Sequence, residues 1–295
     1  MKKILFVLLL ASFTQSCQKK QETSETETQT PAPDSTTFTN ERNTFFSNLL
    51  APAEVAAQLQ ATGAEFNASL MSDPKKYSQY TSNEVKAAAN MGIYLSDLNY
   101  SVAYKKSANT KEYFTAAHEL SKATGMEQGT LDFLAQRYNN NIAQNDSVKS
   151  VMKDLLSKST QGLQGTEREK LAGAAMAAYQ IENLHLALGV IDAYPDDMLP
   201  SDARTLILIP IYKMVLGQKE NIQTIYDFLK SYSSPENPNY QYYSTAFEDL
   251  IGVYNRLNVD DKIAKNQGIE LMNDAVMKEL TQKVDAIRNK VTSAE

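Results

Sequence analysis

The chain has 295 residues, a formal net charge of −6, a single cysteine, two histidines and no tryptophan. The acidic balance argues against nucleic acid as a partner and against broad adhesion to anionic lipid. One cysteine rules out a disulfide framework within the chain, and two histidines leave few acid–base or metal-ligand arrangements.

The chain opens with Lys2 and Lys3, followed by the apolar run Ile4 to Ala11 and then small and polar residues up to Ser16. This is the layout of a secretory signal peptide, predicted over 1–16. The run is far shorter than the ~20 apolar residues that a membrane-spanning helix needs. Cys17, the only cysteine, directly follows. An oxidising compartment favours no cysteine or an even number, and lipidation would leave the mature chain without a free thiol.

The segment ending at Cys17 resembles the lipobox leader of bacterial lipoproteins. That resemblance implies a diacylglycerol on the Cys17 thiol, cleavage after Ser16 and acylation of the new amine. Two or three acyl chains form the double signal that gives stable anchoring, each buried CH₂ contributing ~0.8 kcal/mol. Gln18 is not the aspartate that retains some lipoproteins in the inner membrane, so the resemblance favours the outer membrane, with the leaflet open. Membrane attachment through this lipid is the first expected partnership.

Residues 17–40 form the next segment. Gln18 to Asn40 is built mainly from Gln, Glu, Thr, Ser, Lys and Pro, with Phe38 its only large apolar residue. Such a composition cannot bury enough surface to offset ordering entropy, so a disordered tether is predicted, spanning roughly 25 Å on average.

From residue 41 to 295 the period is helical almost throughout, and glycine and proline are sparse. The predicted fold class is all-α, in one domain. It is a bundle or short right-handed array of about nine to ten antiparallel helices, loosely tetratricopeptide-like at most because the 34-residue signature of such repeats is absent. An Ala-rich helix runs from Pro52 to about Leu70. Thr81 and Glu84 make a capping box for a helix to about Lys106. Asn109 or Thr110 starts the next, which Gly125 closes. Helices follow over about 130–143 and 146–162. Thr166 with Glu169 opens one that ends at Tyr194, before Pro195. Ser201 or Asp202 caps the apolar run Leu206 to Leu216, read as a central buried helix kinked at Pro210 and ended by Gly217. Helices over 221–232 and from Asn239 or Tyr240 to about 257 come next. The last starts at Asp260 and carries Ile269, Met272, Val276, Leu280, Val284, Ile287 and Val291 as one apolar stripe, suited to its own core or to a partner helix.

No motif for nucleotide binding or nucleophilic catalysis is present, so no catalytic residue, metal or cofactor is predicted. Glu182 and His185 have the spacing used in di-iron bundles, but His118 is preceded three positions earlier by Thr115 and the second half is missing. The pair is read as interacting with itself or with solvent at a helix surface.

One stripe is less ordinary. Asn90, Tyr94, Asp97, Tyr100 and Tyr104 fall along neighbouring positions of one helix, placing a carboxylate on an apolar and aromatic face. A buried carboxylate must be paired or hydrogen-bonded, and tyrosine hydroxyls, Arg137 or Arg168 could supply this. The cluster is either a structural polar knot or a ligand-contacting acid in an aromatic groove. Tyr240, Tyr242 and Tyr243 likewise suit an interface or a half-buried helix face.

The segment Asn90 to Lys106, the DSVKSVM start at Asp146 and the long Ala-rich helix after Thr166 loosely resemble, over most of residues 75 to 195, all-helical lipoproteins of Gram-negative bacteria that have no assigned activity. The resemblance implies a fold class and a membrane address. The leading functional expectation is a lipid-anchored, non-catalytic protein that binds another envelope protein or scaffolds an assembly. The alternative is a small-ligand or peptide-binding module around Asp97, and a hydrolase stands third.

Overall fold

The computed structural model describes residues 65–125, 168–194, 200–257 and 274–294, together with the isolated positions Asn40, Gln60 and Gln136. These all belong to one compact unit, Pro33–Glu295, and the unit Met1–Ala32 lies outside them. The described residues are helical, with no strand among them. No described helix is long and apolar enough to cross a membrane.

Chain order gives two short 3₁₀ segments and seven α-helices. The 3₁₀ segments are Ala68–Leu70 and Pro74–Gln79. The helices are α1 (Glu84–Ala103), α2 (Ser107–Ala123), α3 (Glu169–Asp192), α4 (Ser201–Leu216), α5 (Lys219–Ser231), α6 (Pro238–Leu257) and α7 (Ala275–Val291). The predicted helices over 130–143 and 146–162, and the start at Asp260, lie outside the described residues.

The centre of the fold is α1 against α3. Every residue from Ala87 to Val102 and from Leu171 to Leu184 is buried. Small residues make this possible. A methyl group added at Gly92 would collide with the Ala175 carbonyl oxygen and the Tyr179 amide. The two backbones meet there with no side chain between them, which only glycine permits. Around this pair, α2 packs on α1, and α4, α5 and α7 pack on α3. The Phe228 ring of α5 sits over Gly173 of α3, in the space where a Cβ would stand.

The outer helices are amphipathic. On α6, Tyr240, Tyr243, Phe247, Leu250, Tyr254 and Leu257 are buried at steps of three and four. On α7, Met277, Leu280, Val284, Ile287 and Val291 do the same. The α7 stripe faces α3 and α6, so it is part of this chain's own core. Each such side chain contributes about 1.5–3 kcal/mol when fully buried.

Several boundaries differ from the sequence reading. The α1 cap is Asn83, whose Oδ1 accepts from the Val85 and Lys86 amides at 3.0 Å each. Thr81 instead donates to the Ser78 carbonyl, and Glu84 pairs with Arg168 at 2.9 Å. Asparagine is at least as good a cap as threonine, and the helix starts at the later of the two. Residues 68–70, expected as the end of an Ala-rich helix, form a 3₁₀ turn because Asn67 Oδ1 captures the Ser69 amide at 3.0 Å and diverts the backbone. The start of α7 is fixed by Asp274, which accepts from the Val276 amide at 2.8 Å. The apolar helix α4 is not central: Leu208, Ile211 and Val215 are buried, but Leu206 is 74% exposed. It sits at the rim, with one face on α3, and it continues through Pro210.

Two helix ends follow the expected chemistry. Gly125 closes α2 with a positive φ of 72°, which glycine adopts without a Cβ penalty. Between α1 and α2, Lys105 takes the left-handed conformation at φ 56°. The Lys106 amide donates back to the Ser101 carbonyl at 2.9 Å, the long bond of a Schellman turn.

Candidate functional site

The stripe singled out on α1 is buried, and four of its five residues meet one segment, Phe66 to Asp73. Tyr100 Oη accepts from the Asn67 amide at 3.2 Å, and the Tyr100 and Tyr104 rings lie 5.4 and 5.5 Å from the Phe66 ring. Asp97 Oδ2 accepts from the Ser72 amide at 3.1 Å. Tyr94 Oη donates to the Asp73 carbonyl at 2.9 Å. The fifth, Asn90, donates to the Val291 carbonyl at 3.0 Å, one of the carbonyls that the end of α7 leaves without a helical partner.

Other helices close on the same segment. Tyr113 of α2 donates to the Ser72 carbonyl at 2.7 Å. Arg288 of α7 donates to the Leu70 carbonyl at 3.0 Å and to Ser72 Oγ at 2.9 Å. His185 Nε2 of α3 lies 3.0 Å from the same Leu70 carbonyl. The Leu70 side chain rests on Gly189 of α3, in the space a Cβ would need. The segment is therefore strapped across α1, α2, α3 and α7 chiefly through its main-chain atoms.

Beneath the strap lies an ionic cluster. Glu182 is wholly buried and takes a two-pronged bond from Arg288, at 2.6 Å to Nε and 3.0 Å to the terminal nitrogen. His185 Nδ1 meets Asp285 Oδ1 at 2.7 Å. The helix-surface assignment of Glu182 and His185 is thus corrected. They pair with Arg288 and Asp285 of α7, across 106 and 100 residues of chain. The sequence did carry a signal for this. Glu182 and His185 stand three apart on one helix, Asp285 and Arg288 three apart on another, and the two pairs match in charge only in antiparallel register.

Asp97 completes the cluster. Its carboxyl lies within hydrogen-bonding reach of the Glu182 carboxyl, and its Oδ1 is reached by no donor. Two acceptors that meet in a dry site need a proton between them. Burial first, and then the neighbouring Glu182 charge, push the Asp97 carboxyl well above its ordinary value of 3.8, while Arg288 and the Ser72 amide pull the other way. Burial alone would lower the Arg288 value, but Glu182, Asp97 and Asp285 together outweigh it and the net shift is upward.

Of the two cations named for Asp97, only Arg168 is among the described residues, and it is engaged elsewhere. Arg168 reaches the Thr124 carbonyl at 2.9 Å and pairs with Glu84, and Arg137 lies outside the described residues, as does Cys17. Tyr240 and Tyr243 are buried and Tyr242 is 36% exposed. Among the described residues, no group of three or more His, Cys, Asp or Glu is placed to hold a metal ion. A pocket of about 270 Å³ opens between Pro74, Tyr77, Lys111 and Ala116, and its lining shares no residue with the cluster. No family model, no curated protein and no solved structure matches the chain.

Proposed function

We propose that the protein is a lipid-anchored component of the bacterial cell envelope, held in the outer membrane through Cys17. Its role is non-catalytic: it binds another envelope protein or scaffolds an assembly. The observation that carries this reading is the position of the only cysteine, directly after a basic and then apolar leader and ahead of a polar tether. The folded part supports a non-catalytic role, because the titratable cluster is spent on contacts within the chain. Both ring nitrogens of His185 are engaged, and Asp97 and Glu182 are wholly buried.

The architecture is read as a bundle or short right-handed array of antiparallel helices. The tight turn between α1 and α2, two helices that pack on each other, favours it, since short connections place successive helices side by side. The second reading, a small-ligand or peptide groove at Asp97, has less geometric support, because residues 67–73 fill the side on which such a ligand would lie.

Metabolic labelling with a palmitate analogue tests the anchor. The wild type takes up label and fractionates with membranes, whereas Cys17→Ser remains unlabelled. An unlabelled wild type in the soluble fraction would refute the lipoprotein reading. Photo-crosslinking of the labelled protein in intact cells then tests the partner role, which fails if only lipid is captured.

A further inference from the structure

We propose that Asn67–Asp73 is a proton-controlled latch: a proton held between the Asp97 and Glu182 carboxyls keeps the segment seated, and its loss as pH rises lifts the segment from the helices.

The geometry isolates the segment as the element that can move. Asp97 is covered by α1 itself, by α3, by α7 and by the strap. At Gly92 the seam between α1 and α3 is closed backbone to backbone, so water has no entry there. Glu182 and Arg288 lock α3 to α7. Among the described residues packed over Asp97, only the strap is not part of an α-helix. Its own backbone bonds are few and long, from the Leu70 amide to the Asn67 carbonyl at 3.4 Å and from the Met71 amide to the Ala68 carbonyl at 3.2 Å. It stays in place through side chains of the helices below, and Asp97 grips its Ser72 amide directly.

The charges set the direction. Five ionisable partners surround the site: Glu182 and His185 on α3, Asp285 and Arg288 on α7, and Asp73 at the end of the strap. Asp285 is engaged with His185. Among the described residues, that leaves Arg288 as the single cation facing two carboxyls, Asp97 and Glu182. Tyr94 and Tyr100 of α1 and Tyr113 of α2 also face Asp97. Burial raises all three above the ordinary 10.0, so they stay neutral where carboxyls titrate. With one proton, the two carboxyls and Arg288 are balanced and the acid O–H has an acceptor. Without it, a second negative charge stands in a dry site with no further cation among the described residues, which disfavours the seated state. Lifting the strap brings water to Asp97 and removes that cost. The proton passes to solvent, and no bond to carbon changes.

The linkage follows from the sign. A carboxyl whose folded value lies above its ordinary 3.8 binds its proton more tightly folded than unfolded. Its contribution is whole below the ordinary value and is lost as pH rises through the raised one. One linked proton changes the opening equilibrium by at most about tenfold per pH unit.

Hydrogen exchange of the full chain, corrected for the intrinsic effect of pH, tests this between about pH 5 and about pH 9. Protection of residues 67–73 falls about tenfold or more across the range, while α1 stays protected. Asp97→Asn keeps an oxygen for the Ser72 amide and presents an N–H₂ to Glu182 in place of the acid proton. In that variant, protection stays high and flat with pH. Unchanged wild-type protection across the range, or an equal fall in Asp97→Asn, overturns the latch. If Asp97→Asn does not fold, infrared spectroscopy of the wild type decides. The C=O stretch of a protonated carboxylic acid must persist above the ordinary carboxylate range and vanish together with the protection. Its absence at about pH 6, or loss of protection that does not track it, refutes the proposal.

Discussion

The pair α1 and α3 and the trio α5, α6 and α7 solve the same packing problem in opposite ways. In the pair, long stretches are buried on every side, and the buried residues include Asn90, Ser96, Asp97, Asn99, Ser101, Gln180, Glu182 and Asn183. In the trio, burial is confined to apolar stripes with few polar exceptions, and, Arg288 apart, the charges stay outside, as in Arg256 with Glu279 and Lys283 with Asp249. A central helix has no solvent face on which to leave a polar group, so each one must find a partner inside. An outer helix can leave its charges wet, where their pairing adds little. The polar residues of the centre thereby fix which helices meet and in what register.

The largest effect is expected at Glu182, in the centre. Glu182→Ala leaves Arg288 buried without its carboxylate, at a cost of about 3–5 kcal/mol, read as a lower denaturant midpoint. A midpoint within error of wild type would show that the ionic cluster is not holding α3 to α7.

Gly92 offers the next largest effect. The extra methyl of Gly92→Ala meets backbone atoms of Ala175 and Tyr179, which cannot rotate away. The helices must separate, and overpacking of this kind costs about 1–3 kcal/mol. Thermal unfolding checks it, and an unchanged Tm would mean that the seam is looser than its geometry.

At Asp97 the acceptor oxygen and the negative charge act separately. Asp97→Ala strips the Ser72 amide of its acceptor and destabilises the fold by about 1–3 kcal/mol at low pH, whereas Asp97→Asn stays close to wild type there. Denaturant titrations of both variants beside wild type would show this order. Equal midpoints would remove Asp97 from the set of structural residues.

The smallest effect is expected at the rim. Arg256 and Glu279 meet at 2.6 Å but are exposed, so Arg256→Ala leaves the midpoint unresolved from wild type. A clear loss there would erase the distinction between centre and rim.

Much of the fold could be read from the sequence, and the misses share a cause. Gly125 as a stop and the α7 stripe from Leu280 to Val291 rest on local chemistry, and both are found in place. The stripe from Asn90 to Tyr104 was also legible, because one turn of helix suffices to put a carboxylate among tyrosines. What sat opposite that stripe was not legible. Glu182, Arg288 and the Phe66–Asp73 strap come from three distant parts of the chain, and helical periodicity says nothing about which distant elements meet. Arg168 had the right charge for Asp97 but stands one helical turn from the seam's start, where Glu84 and the Thr124 carbonyl claim it. Leu206 was misjudged for a related reason. Composition gives how apolar a helix is, whereas its depth depends on how many neighbours cover it.

The strap also bears on the order of folding. Leu70 and Arg288 meet across 218 residues of chain and Ser72 and Arg288 across 216, among the longest loops this chain can close. Contacts of that separation carry a large closure entropy and form only once the intervening helices have gathered. Side chains that join the structure so late leave the refolding rate almost untouched when removed and speed unfolding instead. The few polar atoms that seat Asn67–Asp73 on the helix bundle therefore govern how long a folded molecule survives more than how quickly one is made.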